Sequence, residues 1–284
     1  MQGHVIRDAD VPAEGENYLM LDPAARNFFM LWIRRAEGKA YVYREWPGSY
    51  HIPGVGVPDP WAVPSSRNPK TGNDGERGGA QASWGFSLLR YKFEIARLEG
   101  WRGFEEWKAQ GVGPDEVPDY GLLEEWHEDQ GAREVVETRF VDCRPATAPK
   151  VENDRVSTLH TDLNNLGMWW TLSPGGAIND DVVKIQSAFE MGTLFVAESC
   201  RNLRWALANW TGADGEKGAC KDPVDCLRWY FGAGLGDGGS SGVRECGSSK
   251  VRRANEGMGF GAQRGRVVRA SHAAGPPRVR WRGR

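Results

Sequence analysis

Residues 17–46 hold three β-prone runs separated by two short turns, and no other stretch constrains the fold as tightly. Tyr18 to Leu21 is the first run. Asp22-Pro23-Ala24-Ala25-Arg26-Asn27 turns the chain into Phe28-Phe29-Met30-Leu31-Trp32-Ile33. Glu37-Gly38-Lys39 turns it again into Ala40-Tyr41-Val42-Tyr43-Arg44-Glu45-Trp46. Turn residues between β-branched and aromatic runs predict consecutive hairpins, so the chain opens with an antiparallel meander. The second run is apolar almost throughout, as expected of a strand covered on both faces.

Beyond residue 46 the period changes. Residues 47–82 are rich in Pro, Gly, Ser and Asn and read as a long loop, a length usually tied to function or disorder. Helical spacing returns at Leu88, Leu89, Phe93, Ile95, Ala96 and Leu98. Further helical pieces are expected near 103–110 and 120–130, then a strand over 136–142 and a helix over 156–166. Met168 to Leu172 and Leu194 to Ala197 read as strands. Asn179-Asp180-Asp181 reads as the cap of a helix running through Phe189, because Asn and Asp accept first-turn amide hydrogen bonds. Helices over 199–209 and 222–231 complete the body. Strands that first meander and then alternate with helices predict an α/β fold, a mixed sheet flanked by helices. The expected division is a lead-in over 1–16, one domain over 17–231 and a tail over 232–284.

Charge separates that tail from the body. The chain has 284 residues, with 36 Lys/Arg and 38 Asp/Glu. Eleven of the former and three of the latter lie in 232–284, so the body carries 25 against 35, a net of −10. An acidic body predicts weak autonomous grip on duplex DNA, since strong binders present a basic face. The tail, with 13 Gly and few aliphatic residues, is expected to be disordered. A solvated tail is the plainer reading and a basic arm on nucleic acid the functional one. Five cysteines (Cys143, Cys200, Cys220, Cys226 and Cys246) form no CxxC pair, so neither a disulfide framework nor a thiolate zinc site is expected. The chain shows no signal peptide and no apolar run long enough for a bilayer, which predicts a soluble protein of a reducing compartment.

Aspartates stand at one end of three of the predicted elements. Asp22 ends the first strand, Asp142 ends a later one, and Asp222 and Asp225 open the last helix. Residues at i and i+3 share a helix face, so Asp222 and Asp225 can close a site together. Pro223 suits a first helical turn, where its missing N–H costs little. If the strands bearing Asp22 and Asp142 are neighbours, their carboxylates meet at one sheet edge. Carboxylate oxygens are the ligands that hard Mg²⁺ or Mn²⁺ ions prefer, and a pair of such ions cleaves phosphodiesters. Singly, each residue has a structural reading: Asp22 before Pro23 starts a turn, and Asp222 before Pro223 is a common N-cap.

Several sequence blocks resemble the nuclease domain of tailed-bacteriophage terminase large subunits. Leu21-Asp22-Pro23-Ala24-Ala25-Arg26-Asn27, Phe29-Met30-Leu31-Trp32-Ile33 and Val42-Tyr43-Arg44-Glu45-Trp46-Pro47 look like its start. Arg139-Phe140-Val141-Asp142-Cys143-Arg144 resembles its second acidic strand. Ser199-Cys200-Arg201-Asn202-Leu203, Ala206 to Gly212 and Lys217 to Arg228 are similar to its closing segment. The resemblance covers about residues 17–231. It implies an RNase H-like fold and a two-metal endonuclease, using Mg²⁺ or Mn²⁺, that cuts concatemeric double-stranded viral DNA during packaging in the cytoplasm of a bacterial host. By position it makes Asp22 the ligand shared by both ions, Asp142 the second acid, and either Asp222 or Asp225 the third. It also implies an ATPase domain or subunit, a small terminase subunit and a portal as partners. No GxxxxGK[ST] motif is present, so this chain is expected not to power translocation itself. The resemblance gives way after Phe231, which suggests a split, truncated or frameshifted gene product. The alternative function is then an inactive docking module for the packaging partners.

The remaining chemistry-bearing residues are less specific. The five histidines (His4, His51, His127, His160 and His272) form no HxxxH or HExxH pair, and His160 near Asp162 reads as a surface helix residue. Most of Trp84, Trp107, Trp126, Trp169, Trp170, Trp205, Trp210 and Trp229 are expected in the core. Trp46 and Trp61 flank the long loop, where they can stack on bases or anchor the loop. Arg26, Arg144 and Lys221, beside the acids, either contact phosphate or relieve carboxylate repulsion.

Overall fold

The computed structural model describes residues 2–23, 29–46, 88–113, 116, 118–152, 155–174, 178–210 and 221–236. All of these belong to one compact unit, Met1–Gly247. The expectations for the 47–82 loop and for the tail beyond residue 236 lie outside the described residues, as do Arg26, Trp61 and Trp84.

The meander forms as expected: β2 (Glu16–Asp22), β3 (Phe29–Ala36) and β4 (Lys39–Trp46) pair antiparallel in sequence order. The β3–β4 turn places Glu37 and Gly38 at φ 51° and 73°, a left-handed pair that matches the twist of a tight hairpin. Later strands then join in parallel. β5 (Thr138–Val141) lies against β2, and β8 (Trp170–Leu172) against β5. β9 (Leu194–Ala197) lies against β4, and β1 (Val5–Ile6), from the stretch read as a lead-in, pairs with β9. The seven-stranded order is β1-β9-β4-β3-β2-β5-β8. Its central part, a meander with two parallel strands added beside its first strand, is the RNase H-like arrangement.

Helices cover both faces. On one lie α1 (Leu88–Glu99), α2 (Arg102–Lys108), α3 (Tyr120–Glu125) and α5 (Leu159–Asn165). Leu19, Leu21, Met30, Trp32 and Val141 meet Phe93, Trp101, Phe104, Trp107 and Trp126 there. The opposite face takes α6 (Ile178–Glu190), α7 (Arg201–Asn209) and α8 (Lys221–Gly232). Tyr18, Met20, Phe29, Leu31, Ile33 and Phe140 point that way, onto Ile185, Leu203, Cys226, Leu227 and Tyr230. Successive strand residues thus serve opposite cores, which is why these strands read as continuous apolar runs.

Burial of α8 is unusually complete, from Pro223 through Phe231. Each large apolar side chain there contributes about 1.5–3 kcal/mol relative to exposure. The helix bearing Asp222 and Asp225 is therefore a packed element, even though the sequence pattern fails just beyond it.

Four local expectations need correction. The helix over 156–166 starts later: Thr158 caps α5 by accepting the Thr161 amide at 3.1 Å, and Val156 stands in β7 (Arg155–Ser157), which pairs with β6 (Lys150–Glu152). A β-branched residue on the apparent stripe mimicked a helical period. The piece over 120–130 breaks at Trp126, which is extended, and resumes as a 3₁₀ turn at Glu128–Gln130. Asn179, Asp180 and Asp181 do not precede their helix, because α6 already begins at Ile178. Trp169 is 75% exposed rather than in the core, since it precedes the short edge strand β8.

Candidate active site

Asp22 and Asp142 are placed side by side by the sheet. β2 and β5 run parallel in adjacent positions, with Leu21 paired to Val141. Asp22 is the last residue of β2, and Asp142 is the first residue past β5. The Asp142 amide donates to the Leu21 carbonyl at 3.1 Å, which continues the ladder one step beyond the strand. Asp142 then caps α4 (Cys143–Thr147), its Oδ1 accepting the Arg144 amide at 3.2 Å. The Cys143 amide is held at 3.1 Å by Ser173 Oγ, just past β8, so three parallel-facing strand ends meet at this edge.

The first turn of α8 brings the other two acids. This helix packs on β2 and β3. Cys226, fully buried, seats it with its Sγ directed at the carbonyls of Met20 (3.8 Å) and Phe29 (3.7 Å), on the strands that flank Asp22. Burial pushes the Cys226 thiol well up, and Asp22, Asp222 and Asp225 push it further. Cys226 is therefore a packing residue, not a nucleophile, because only the thiolate attacks.

The electrostatics join all four aspartates. Burial drives the Asp22 carboxyl well above the ordinary carboxylate range, and Asp222, Asp225 and Asp142 raise it further in that order, with Lys221 opposing. Asp142 is also raised, first by burial. The Arg144 amide opposes that rise and Asp225 adds to it. Asp225 raises both strand acids, whereas Asp222 is the aspartate that raises Asp22 most. Burial pushes up the Tyr91 hydroxyl on α1, and the Asp22 charge adds to that rise.

Carboxylates that share a site disfavour one another's ionised form, and a cation relieves the repulsion. Their oxygens are the donors that Mg²⁺ and Mn²⁺ prefer, so the chemistry of the set fits such an ion. The spacing is looser than a coordination sphere: among the described residues, no group of three or more His, Cys, Asp or Glu side chains is gathered tightly enough to hold a metal ion. One cause is visible at Asp225, whose Oδ1 accepts from Arg228 Nη1 and whose Oδ2 lies 3.6 Å from Lys221 Nζ. Of the basic residues beside the acids, Lys221 counters charge on Asp22, Asp142 and Asp225, and Arg144, though exposed, counters charge on Asp142.

Other candidates fall away. His160 donates through Nε2–H to the Trp170 carbonyl at 2.8 Å, with Asn164 Nδ2 3.2 Å away, while Asp162 accepts from the Ser157 hydroxyl. Both are local ties of α5. Trp46 is fully buried and donates to Glu94 at 3.0 Å, so it anchors α1 to the sheet rather than stacking on bases. Sequence reasoning missed Glu45, whose carboxylate accepts the Asn202 and Leu203 amides at 2.8 and 2.9 Å and so caps α7. A lone Glu in a strand gives no cue to such a distant partner. Asp181 and Arg228, ion-paired at 3.7 Å between α6 and α8, were also missed.

No protein-family model and no curated protein matches the chain. Among solved structures, the large terminase of a thermophilic bacteriophage in complex with ADP is similar over 82% of this chain and 43% of its own, at 12% identity and a TM-score of 0.46. A second crystal form of that terminase gives 11% identity and a TM-score of 0.45 over 81% and 41%. The P22 large terminase nuclease domain is similar over 79% of this chain and 90% of its own, at 8% identity and a TM-score of 0.41. The chain thus spans less than half the length of the thermophilic phage's large terminase. No described helix is long and apolar enough to cross a membrane.

Proposed function

We propose that this chain is a metal-dependent DNA endonuclease, the nuclease module of a phage DNA-packaging terminase. The observation that carries the reading is the setting of Asp22. It is a strand-end carboxyl pushed far up by burial and by three other aspartates, on an RNase H-like sheet whose adjacent parallel strand delivers Asp142. The sequence blocks shared with terminase nucleases support the same conclusion, and the concatemeric double-stranded DNA substrate, the packaging partners and the host cytoplasm belong to this proposal.

Asp22, Asp142 and Asp225 would hold two Mg²⁺ or Mn²⁺ ions, with Asp222 beside Asp22. Such ions supply a nucleophilic water at neutral pH and relieve charge on the phosphate and the leaving oxygen. The protein's own part is to gather negative charge where it is costly. Burial and mutual repulsion raise Asp22 and Asp142 above ordinary carboxyls, so a bound cation would relieve charge that the fold holds at a cost. Lys221, half exposed, balances Asp225 and would be free to meet a phosphate. No side-chain base is required.

A second reading, an inactive docking module, is favoured by one observation: Asp225 is ion-paired to Arg228, and among the described residues no three acids are drawn to coordination distance. A plasmid-nicking assay with Mn²⁺ separates the two. Wild type should nick, and Asp22→Ala and Asp142→Ala should each lose roughly 10²–10³-fold, the range for removing one group that stabilises transition-state charge. Equal nicking by all three overturns the site. A folded wild type that does not nick in Mn²⁺ overturns the nuclease reading and favours the docking module.

A further inference from the structure

Behind Asp225 lies a buried chain of charge that runs away from the site. Arg228, one turn further along α8 and 7% exposed, gives Nη1 to Asp225 Oδ1. Its Nη2 lies 3.7 Å from Oδ2 of Asp181, in the first turn of α6 and 4% exposed. Asp181 Oδ1 is in turn 3.8 Å from Lys184 Nζ, which donates to the Phe231 carbonyl at 3.4 Å. Arg228 Nε has no hydrogen-bond partner among the described residues, so its two terminal nitrogens carry its hold on both helices.

The backbone leaves room for this arrangement. A Cβ on Gly232, one turn beyond Arg228, would stand 3.3 Å from Asp181 Oδ1. Glycine at this position lets the α6 carboxylate lie against α8. Burying an aspartate between two helices is costly unless it is paired, and Arg228 is the group within reach that also touches the site.

We infer that Arg228, held by Asp181, is a positioning residue for Asp225. This inference rests on the nuclease reading above. With Oδ1 taken by Arg228, Asp225 leaves Oδ2 to the other side, 3.6 Å from the half-exposed Lys221. One oxygen is thereby reserved for structure and the other for the site. Asp181 keeps the guanidinium between the helices. Without it, Arg228 has Asp225 as its single carboxylate, and its whole charge falls on that group. Partners that orient a metal-binding carboxylate change metal affinity about 10–100-fold when altered.

The test is Mn²⁺ binding by the full chain near neutral pH, followed by the electron paramagnetic resonance signal of free Mn²⁺, with thermal melting on each variant. Asp181→Asn keeps the shape and removes the charge, and Arg228→Lys keeps the charge and cannot span both carboxylates. Each should weaken Mn²⁺ binding about 10-fold or more. Ile185→Ala, a buried α6 residue outside the charge chain, should lower the melting temperature and leave Mn²⁺ affinity alone. Wild-type affinity in both charge variants overturns the inference. So does equal weakening by Ile185→Ala, which reduces the chain to a structural tie. A folded wild type that binds no Mn²⁺ overturns the metal reading itself, a result distinct from either.

Discussion

The Asp142 amide donates to the Leu21 carbonyl at 3.1 Å, and this one hydrogen bond sets the second acid of the site beside the first. It extends the β2–β5 ladder past the end of β5, so Asp142 leaves the sheet at the level where Asp22 leaves it. The charge gathered at that level, and the packing that holds it there, have measurable consequences.

Asp22 should be a liability to the fold. Its carboxyl is raised in the folded chain, so the native state holds a proton that the unfolded state releases. The sign is that stability is intact below the unfolded pKa of about 3.8 and is lost as pH rises through the higher folded value. In EDTA, Asp22→Asn should melt at the wild-type temperature near pH 4 and above it at pH 7. Each kcal/mol relieved is worth on the order of 2–4 °C. Melting curves across this range that stay parallel for the two proteins would contradict the burial and repulsion assigned to Asp22.

Asp225 and Asp222 should separate by mutation. Asp225→Asn removes the carboxylate that faces both strand acids and leaves Arg228 buried with Asp181 alone. Plasmid nicking should fall roughly 10²–10³-fold, and urea stability by about 1–3 kcal/mol for the unsatisfied partner. Asp222→Asn should cost less activity, since its charge bears on Asp22 rather than on both strand acids. A larger activity loss at Asp222 would reverse the assignment of the third acid.

Arg139 should be the costliest single charge to remove. It is 3% exposed in β5, and its guanidinium pairs with Glu99 and Glu128. Glu99, itself fully buried, also accepts from the indoles of Trp32 (3.1 Å) and Trp101 (2.9 Å). Arg139→Met strands that carboxylate and should destabilise the chain by about 3–5 kcal/mol in urea titration. The double change Arg139→Met, Glu99→Gln should recover a large part of the loss, and no recovery would show that the pair is not coupled.

Gly103 should not tolerate a methyl group. Its hypothetical Cβ falls 2.4 Å from Trp126 Cδ1, and the indole is pinned among Phe93, Phe104 and Trp107. Within an α-helix Ala is ordinarily better than Gly, so propensity alone predicts a gain. Overpacking should win, and Gly103→Ala should lose about 1–3 kcal/mol. A higher melting temperature for this variant would mean that α2 can slide away from Trp126.

The meander was legible because its signal is local: turn residues at 22–27 and 37–39 bracket apolar runs, and pairing between sequence neighbours needs no further information. The strand end at Asp142 was legible for the same reason. Where a β-branched residue fell on a helical stripe, as Val156 did, periodicity misread a strand as a helix. Arg228 and Asp181 could not be found, because an ion pair between two separate helices, far apart in the chain, leaves no local pattern.

The sequence by itself determined which aspartates end strands and open the last helix, for those positions follow from short-range propensity and turn chemistry. Only the tertiary structure decided that β5 lies next to β2, that α8 is packed from Pro223 to Phe231, and that Asp225 shares its charge with Arg228. The reason is physical. Local preferences fix where an element begins and stops, but burial and charge are properties of neighbours brought from far along the chain. The four carboxylates bear on one another through that proximity alone.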